Sequence, residues 1–440
     1  MTDDRKWAER KVGFARLWAR TKQVLTTDPR GSDEDDQVVD EEAATVLAAQ
    51  AGKLKGGLAK VAQLAAYDPG ATLGHRRGAS ARARAVLGNL WSHAPGLGGA
   101  AIADVIAADL GKPPQQLYAT WEATPFAAAS LGQVHAATLH DGTAVVVKVQ
   151  YPGIAESLRA DLDDTGFVRR LAGAEIGETL DARGLAVLSA AVRGELDYRA
   201  EAASQERFAA AWADDAVIRV PRVIPELSTA RVLTMTRAPG RAIPDLAGAS
   251  ADLRRQAALG IYRAVWGSPL VHRLLNADPN PGNFLVDELP DGHVHVWCLD
   301  FGCALELPAT VRDADRELWW GLLDDDGEAG AERLRIGLAN AGLLQHTDSL
   351  ATHAHRNWEH ALQAPLATHG DFHWGSACGD TFAETTARVL ASGNVTLPAD
   401  VMLLWRQRLG AAAVIGMLDA KAPFRRTLHD LIGHGKRALR

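Results

Sequence analysis

Two short runs of oxygen-bearing side chains carry the clearest chemical signal in this 440-residue chain. Asp278-Pro279-Asn280-Pro281-Gly282-Asn283 comes first, and Asp300-Phe301-Gly302 follows after two strand-like runs. Phosphoryl transfer needs a carboxylate near the attacking hydroxyl and oxygen ligands that hold Mg²⁺ against phosphates. Asp278 can supply the first. Asn283 and Asp300, the latter at a strand–loop junction, can supply the second. Magnesium takes one or two carboxylates and fills its shell with phosphate and water, so a sparse set is enough. Asp-Phe-Gly alone matches by chance; the ordered pair of runs is far more specific.

A lysine adds to this. Val145-Val146-Val147-Lys148-Val149 reads as a buried strand, where the charge must be paired or neutralised. By itself Lys148 has two readings, a phosphate contact or an edge-strand lysine that guards against aggregation. With Asp278 and Asp300 downstream, the phosphate contact becomes the natural one, and the order matches that of protein kinases. Ahead of the strand, Ala127-Ala128-Ala129-Ser130-Leu131-Gly132-Gln133-Val134 sits where a glycine-rich phosphate loop would be, but with alanines. Alanine lacks the positive-φ freedom of glycine, so such a loop should be stiffer.

The elements that must position these residues read as α+β. Ala127 to Leu139 and Ala144 to Gln150 are strand-like and joined by Asp141-Gly142, a two-residue hairpin signal. Helical segments cover about 155–213, then a short strand runs from Arg231 to Met235. A helix at about 250–266 leads into a Pro-, Asn- and Gly-rich loop. A second hairpin uses Phe284 to Asp287 and His295 to Leu299, and the remainder to Arg440 reads as helical. Upstream, residues 41–66 and 80–120 read as mostly helical. Residues 4–25 form a basic amphipathic pattern with Trp7, Phe14, Leu17 and Trp18 on one face, followed by the acidic run Asp33 to Asp36. Packing on its own protein is the preferred reading of that helix, and docking on an anionic membrane is the alternative.

These motifs, in this order, resemble the AarF/UbiB family of atypical, protein-kinase-like proteins, from about Gly52 to Leu318 and more loosely to the C-terminus. Ala127 to His135 is similar to the family's alanine-rich loop, and Val145 to Gly153 to its nucleotide-lysine strand. Glu195-Leu196-Asp197 matches its E-x-D motif, and Glu201 the helix glutamate that the resemblance pairs with Lys148. Asn276 to Asn283 is similar to its H-A-D-P-H-P-G-N loop, and Leu299 to Gly302 to its metal-binding turn. Lys60 and Gln63 keep two positions of its K-x-G-Q motif, which the resemblance folds over the active site beside Glu195 and Asp197. Ala62 replaces the motif's glycine, and Asn276 and Asn280 replace both histidines of the loop, leaving polar but non-titrating groups there.

The resemblance implies a bilobal protein-kinase-like fold with an N-terminal helical extension and a mainly helical C-lobe. The expected divisions are 1–40 for the basic helix and acidic linker, 41–120 for the extension, 121–240 for the N-lobe and 241–440 for the C-lobe. It implies ATP or ADP with Mg as cofactors. Ala127, Ala128, Ala129, Ser130, Lys148 and Met235 form the nucleotide-binding set. Asn283 and Asp300 hold the metal, and Asp278, Lys148 and Glu201 the catalysis. An occluded site, weak or absent protein kinase activity, and a link to lipid or isoprenoid-quinone metabolism come with it. A nucleotide-switched regulator and a small-molecule kinase are the alternatives.

Composition bounds the rest. Apolar residues make up 47% and charged residues 23%, ordinary for a globular protein. A net charge of -7 offers no overall field for nucleic acid, so no such partner is expected. Three cysteines without a C-x-x-C pair suggest a reducing cytosol. The longest apolar run, Leu409 to Leu418, is too short to span a bilayer, so a soluble cytoplasmic protein is expected, with peripheral membrane or lipid contact left open. Oligomeric state is not legible. His346, His353, His355, His360, His369 and His373 fit no tight ligand spacing and read as helix and loop histidines. Trp405, Arg406 and Arg408 read as packing and surface residues.

Overall fold

The computed structural model describes residues 99–129, 131–163, 186, 189–190, 193–278, 280–323, 333, 336–340, 342–343, 353–391 and 398–434. Lys60, Ala62, Gln63, Ser130, His346 and the basic N-terminal pattern lie outside the described residues. The fold is mixed α+β, as expected, and its chain divides into two compact units built from interleaved segments. The first takes the chain up to Thr179 together with Leu196–Arg199 and Ile224–Thr236. The second takes Leu180–Glu195, Ala200–Val223 and everything from Arg237 onward.

The first unit is an antiparallel sheet backed by a helix. Its strands are β1 (Thr120–Trp121), β2 (Ala127–Ala129), β3 (Gly132–Thr138), β4 (Ala144–Gln150) and β6 (Val232–Thr236), in the order β1-β3-β4-β6 with β2 also on β3. Valines at 145, 147 and 149 are fully buried, as a β-branched run in a central strand should be. Helix α1 (Gly99–Leu110) lays Ile102, Val105 and Ile106 against β4 and β6. A one-turn helix α2 (Pro114–Leu117) leads into β1, and α3 (Ile154–Leu162) follows β4. Asp109 on α1 accepts from Arg231 and from the Thr229 hydroxyl, which pins the helix to the turn before β6.

The run expected as one strand, Ala127 to Leu139, is instead two strands folded on each other. Ala127 pairs with Val134, Ala128 with Gln133 and Ala129 with Gly132. The reason is steric. A Cβ on Gly132 would lie 2.1 Å from the Val149 carbonyl oxygen, so only glycine lets the β2–β3 turn press on β4. Gly132→Ala should destabilise the protein by about 1–3 kcal/mol, read from the denaturation midpoint, because backbone rather than a flexible side chain has to move. His135 anchors the same strand. Fully buried and stacked on Trp121, it bonds the Glu122 carbonyl oxygen through Nδ1 (2.8 Å) and Gln133 Nε2 through Nε2 (2.9 Å). Burial lowers its pKa, which suits the neutral ring this pairing needs.

The Asp141-Gly142 hairpin forms, but with a loop one residue longer than a two-residue turn. Leu139 N–H donates to the Thr143 carbonyl, Gly142 takes φ +89°, and Asp141 Oδ1 accepts from Thr143 N–H. The second hairpin, between β9 (Phe284–Glu288) and β10 (Val294–Cys298), repeats this with Leu289, Asp291, Gly292 and His293. An aspartate before a glycine in the left-handed region therefore turns the chain at both places.

The second unit is mainly helical around α5 (Ala251–His272), which is buried along most of its length. It extends six residues past the expected end despite Pro269 and stops at Arg273, which takes the left-handed φ of 61°. Around it pack α4 (Tyr198–Ala211), α6 (Ala309–Leu323), α7 (His353–Gln363), α8 (Ser376–Ala391), α9 (Ala399–Leu418) and α10 (Phe424–His434). β9 and β10 join β5 (Ile218–Arg219) and β7 (Arg241–Ala242) in one sheet. The C-terminal half is not wholly helical. β8 (Leu274–Asn276) pairs with β11 (Ala304–Glu306), and β12 (Phe372–Trp374) with β13 (Ala420–Ala422).

The apolar run at Leu409 to Leu418 belongs to a longer apolar stretch than expected. Val401–Leu418 has a mean hydropathy of 1.3, long and apolar enough to cross a membrane, yet 78% of it is buried inside the fold. That is the setting of a core helix. Arg408 corrects the surface assignment: fully buried, its guanidinium forks onto Asp315 of α6 and lies 4.9 Å from the Trp319 ring centroid.

Candidate nucleotide and metal site

In the first unit, Lys148 stands in the middle of β4, opposite Val134 of β3 and Leu233 of β6. A strand paired on both sides excludes the edge-lysine reading. The side chain is buried, and its ammonium lies 5.0 Å from the Tyr198 ring centroid, within cation–π range. Met235 is buried on β6 opposite Val146, one residue before that strand ends. Asp197, directly before α4, accepts from the backbone N–H, Nε and Nη2 of Arg199, the geometry of a helix N-cap. Those side-chain bonds hold its carboxyl below the usual range.

In the second unit, the loop after β8 and the turn after β10 are bound to each other at four points. β8 and β11 pair Asn276 with Ala304, and Ala277 N–H donates to the Cys303 carbonyl. Asn276 Nδ2 donates to the Asp300 carbonyl oxygen (2.5 Å), and Leu299 N–H to the Asn283 carbonyl (3.0 Å). Within the loop, Asn283 Nδ2 donates to the Asp278 carbonyl (3.0 Å), and Asn280 Oδ1 accepts from Gly282 N–H (2.8 Å). The segments that carry Asp278, Asn283 and Asp300 are thus tied to each other by backbone as well as side-chain hydrogen bonds. Asn276 and Asn280, the departures from the histidine pattern, serve here as backbone organisers.

The Asp300-Phe301-Gly302 turn is crowded by acidic side chains. Asp300 Oδ1 accepts from Gly302 N–H at 3.0 Å. A Cβ on Gly302 would lie 3.2 Å from Glu195 Cγ, 3.4 Å from Asp300 Oδ1 and 3.7 Å from Glu201 Oε2. Three acidic side chains from the E-x-D segment, α4 and the turn itself therefore converge on one glycine. Glu195 is buried and accepts from the Cys303 thiol (2.7 Å), and Glu201 is buried on α4. Phe301, fully buried against Phe208, anchors the turn from behind. An amide oxygen and a carboxylate are hard donors, so the Asn283–Asp300 pair fits Mg²⁺ better than a thiophilic metal.

Two residues of α9 were not legible as part of this site. Arg406 Nη2 lies 4.0 Å from Asp278 Oδ1. Gln407 is buried beside Asn276, Asp278 and Asn283 around a cavity of about 30 Å³, and its Oε1 has no hydrogen-bond partner among the described residues. A signal existed: Arg406-Gln407-Arg408 in an otherwise apolar helix spreads three polar groups over about 200°, too wide for one solvent face. Among the described residues no group of three or more His, Cys, Asp or Glu is placed to hold a metal ion. His373, from the histidine-rich stretch, pairs with Asp419 at 2.8 Å.

Comparison with known proteins places this geometry in a family. The model for the ABC1 atypical kinase-like domain matches residues 89–334. The mitochondrial atypical kinase COQ8B of Rattus norvegicus is 31% identical over 334 residues, covering 74% of this chain and 61% of the relative. The mitochondrial atypical kinase COQ8 of Saccharomyces cerevisiae is 34% identical over 203 residues, 46% of this chain and 39% of the relative. The chain thus spans less than two thirds of the length of these relatives. Among solved structures, Rv3197 of Mycobacterium tuberculosis, determined with erythromycin, aligns with a TM-score of 0.59 and 25% identity over 91% of this chain and 98% of that one. Matched over more than half its length by the family model and carrying the family's motifs in order, the chain belongs to the ABC1 atypical kinase-like family, the AarF/UbiB group its sequence resembles.

Proposed function

We propose that this protein binds ATP or ADP with Mg²⁺ and acts as an ATPase or phosphotransferase. The observation that supports the reading is the four-point tie between the Asp278–Asn283 loop and the Asp300 turn, the two segments that carry the proposed ligands and base. Lys148 binds the α- and β-phosphates, and Glu201 orients it. Ala127, Ala128, Ala129 and Ser130 cover the phosphates, and Met235 borders the base. Asn283 and Asp300 hold the metal, which when bound neutralises charge on the phosphate oxygens. Asp278 positions the attacking hydroxyl or water and accepts its proton.

The expected divisions at residues 40, 120 and 240, the placement of Lys60 and Gln63 over the site with Glu195 and Asp197, and a link to lipid or isoprenoid-quinone metabolism belong to the same proposal. So does a cytoplasmic location with peripheral membrane contact, although named relatives are mitochondrial or chloroplastic. A second reading, a nucleotide-switched regulator without turnover, draws on Arg406, which would hold Asp278 in an ion pair instead of against a hydroxyl.

Mg-ATP and Mg-ADP titrations of the purified protein test the proposal. Binding should raise the melting temperature, and Lys148→Ala should weaken it roughly 10- to 100-fold, the worth of a charge-assisted phosphate contact. Stabilisation without phosphate release selects the second reading, and no nucleotide effect at all rejects both.

A further inference from the structure

A lysine that meets phosphate from a buried position has to stay charged and in place before the ligand arrives. Lys148 is 8% exposed in a strand paired on both sides, so water cannot solvate its ammonium as it would at the surface. A buried charge needs a partner, and the kind of partner decides what the charge can still attract. A carboxylate offsets the charge that it holds. An aromatic face attracts a cation through its quadrupole and has no net charge, so the ammonium keeps its pull on phosphate.

Tyr198 presents such a ring. Its centroid lies 5.0 Å from the Lys148 ammonium, and the residue is 1% exposed, the dry setting in which a cation–π contact is strongest. Ring and ammonium are fixed through one framework. Leu196–Arg199 belongs to the same compact unit as β4 and β6. Tyr198 N–H donates to the Ala230 carbonyl (3.0 Å), just ahead of β6, and β6 pairs Leu233 with Lys148. Asp197 binds the backbone and guanidinium of Arg199, which fixes the turn that carries the ring. We infer that Tyr198 is a positioning residue of the nucleotide site, its ring holding the Lys148 ammonium where phosphate meets it. That role rests on Lys148 being the phosphate contact proposed above.

Mg-ADP titrations of the full chain, followed by calorimetry and melting temperature, test this role. Tyr198→Leu, which keeps bulk without a ring, should weaken Mg-ADP binding roughly tenfold. Tyr198→Phe should recover most of that loss. Trifluorophenylalanine at the same position keeps the shape of phenylalanine but drains the negative face of the ring, so affinity should fall several-fold below that of Tyr198→Phe. In a Lys148→Ala background the leucine and phenylalanine variants should bind alike, within about twofold, because the ring then has no cation to hold. Should Tyr198→Leu fail to fold, the two rings of near-equal shape decide the matter alone. Where wild type binds Mg-ADP and Lys148→Ala weakens it, a trifluorinated ring as good as phenylalanine, or a leucine cost that persists without the lysine, makes Tyr198 a packing residue and overturns the inference. No Mg-ADP response in the wild type, or none lost in Lys148→Ala, rejects the nucleotide reading of Lys148 and this role with it.

Discussion

Asp300→Asn is expected to lower Mg-dependent nucleotide turnover by roughly 10²- to 10³-fold, the usual cost of removing one preorganised electrostatic contact. The change isolates charge from shape. Asparagine keeps an oxygen that can accept from Gly302 N–H, and the bond from Asn276 goes to the backbone carbonyl, which no side-chain change removes. The turn should therefore keep its conformation while losing the anionic ligand that a hard divalent cation prefers. The variant should melt within a few degrees of the wild type without ligand, and the extra stabilisation that Mg²⁺ adds to nucleotide should disappear. Turnover and Mg²⁺ response matching the wild type would remove Asp300 from the metal site and take the phosphotransfer proposal with it.

Arg408→Met is expected to destabilise the protein by about 3–5 kcal/mol, because it strands the Asp315 carboxylate in the interior without its partner. Arg408 is fully buried and Asp315 is 4% exposed, so solvent cannot take over the role of the guanidinium. The shape of the loss can be separated from its charge. In the double variant Arg408→Met with Asp315→Leu, both charges leave together, and much of the stability should return, as it does when buried pairs are replaced by apolar groups. Urea denaturation of the single and double variants measures this. A double variant no more stable than Arg408→Met would mean that stacking of the guanidinium on Trp319, not its charge, holds α9 to α6.

The parts of the fold legible in the sequence are those set by neighbours along the chain. Asp-Gly pairs mark both hairpins because the aspartate caps its own turn and the glycine takes a positive φ within three residues. Lys148 shows itself as a lone charge in a β-branched run. What escaped depends on distant partners. β8 and β11 are three residues each and have no alternation to read; they exist because each supplies the other's hydrogen bonds. The division of Ala127 to Leu139 into two strands follows from contact with Val149, which no local pattern encodes. Arg406 and Arg408 look alike in the sequence, yet one reaches Asp278 and the other Asp315, 93 positions away. The motif loop lies between these cases: its spacing announced Asp278, Asn283 and Asp300, while the bonds that tie their segments together involve Asn276, which looked like a lost histidine.

The interleaving of the two units limits how this protein can be taken apart. β4 is flanked by β3 and by β6, and β6 arrives from far along the chain, after the second unit has already claimed part of it. A fragment ending near residue 179 would bare one edge of β4, a valine-rich ladder of unpaired amides open to self-association. Any dissection by expressed halves will meet aggregation first, whereas an insertion at the exposed Asp141-Gly142 loop severs no pairing between strands.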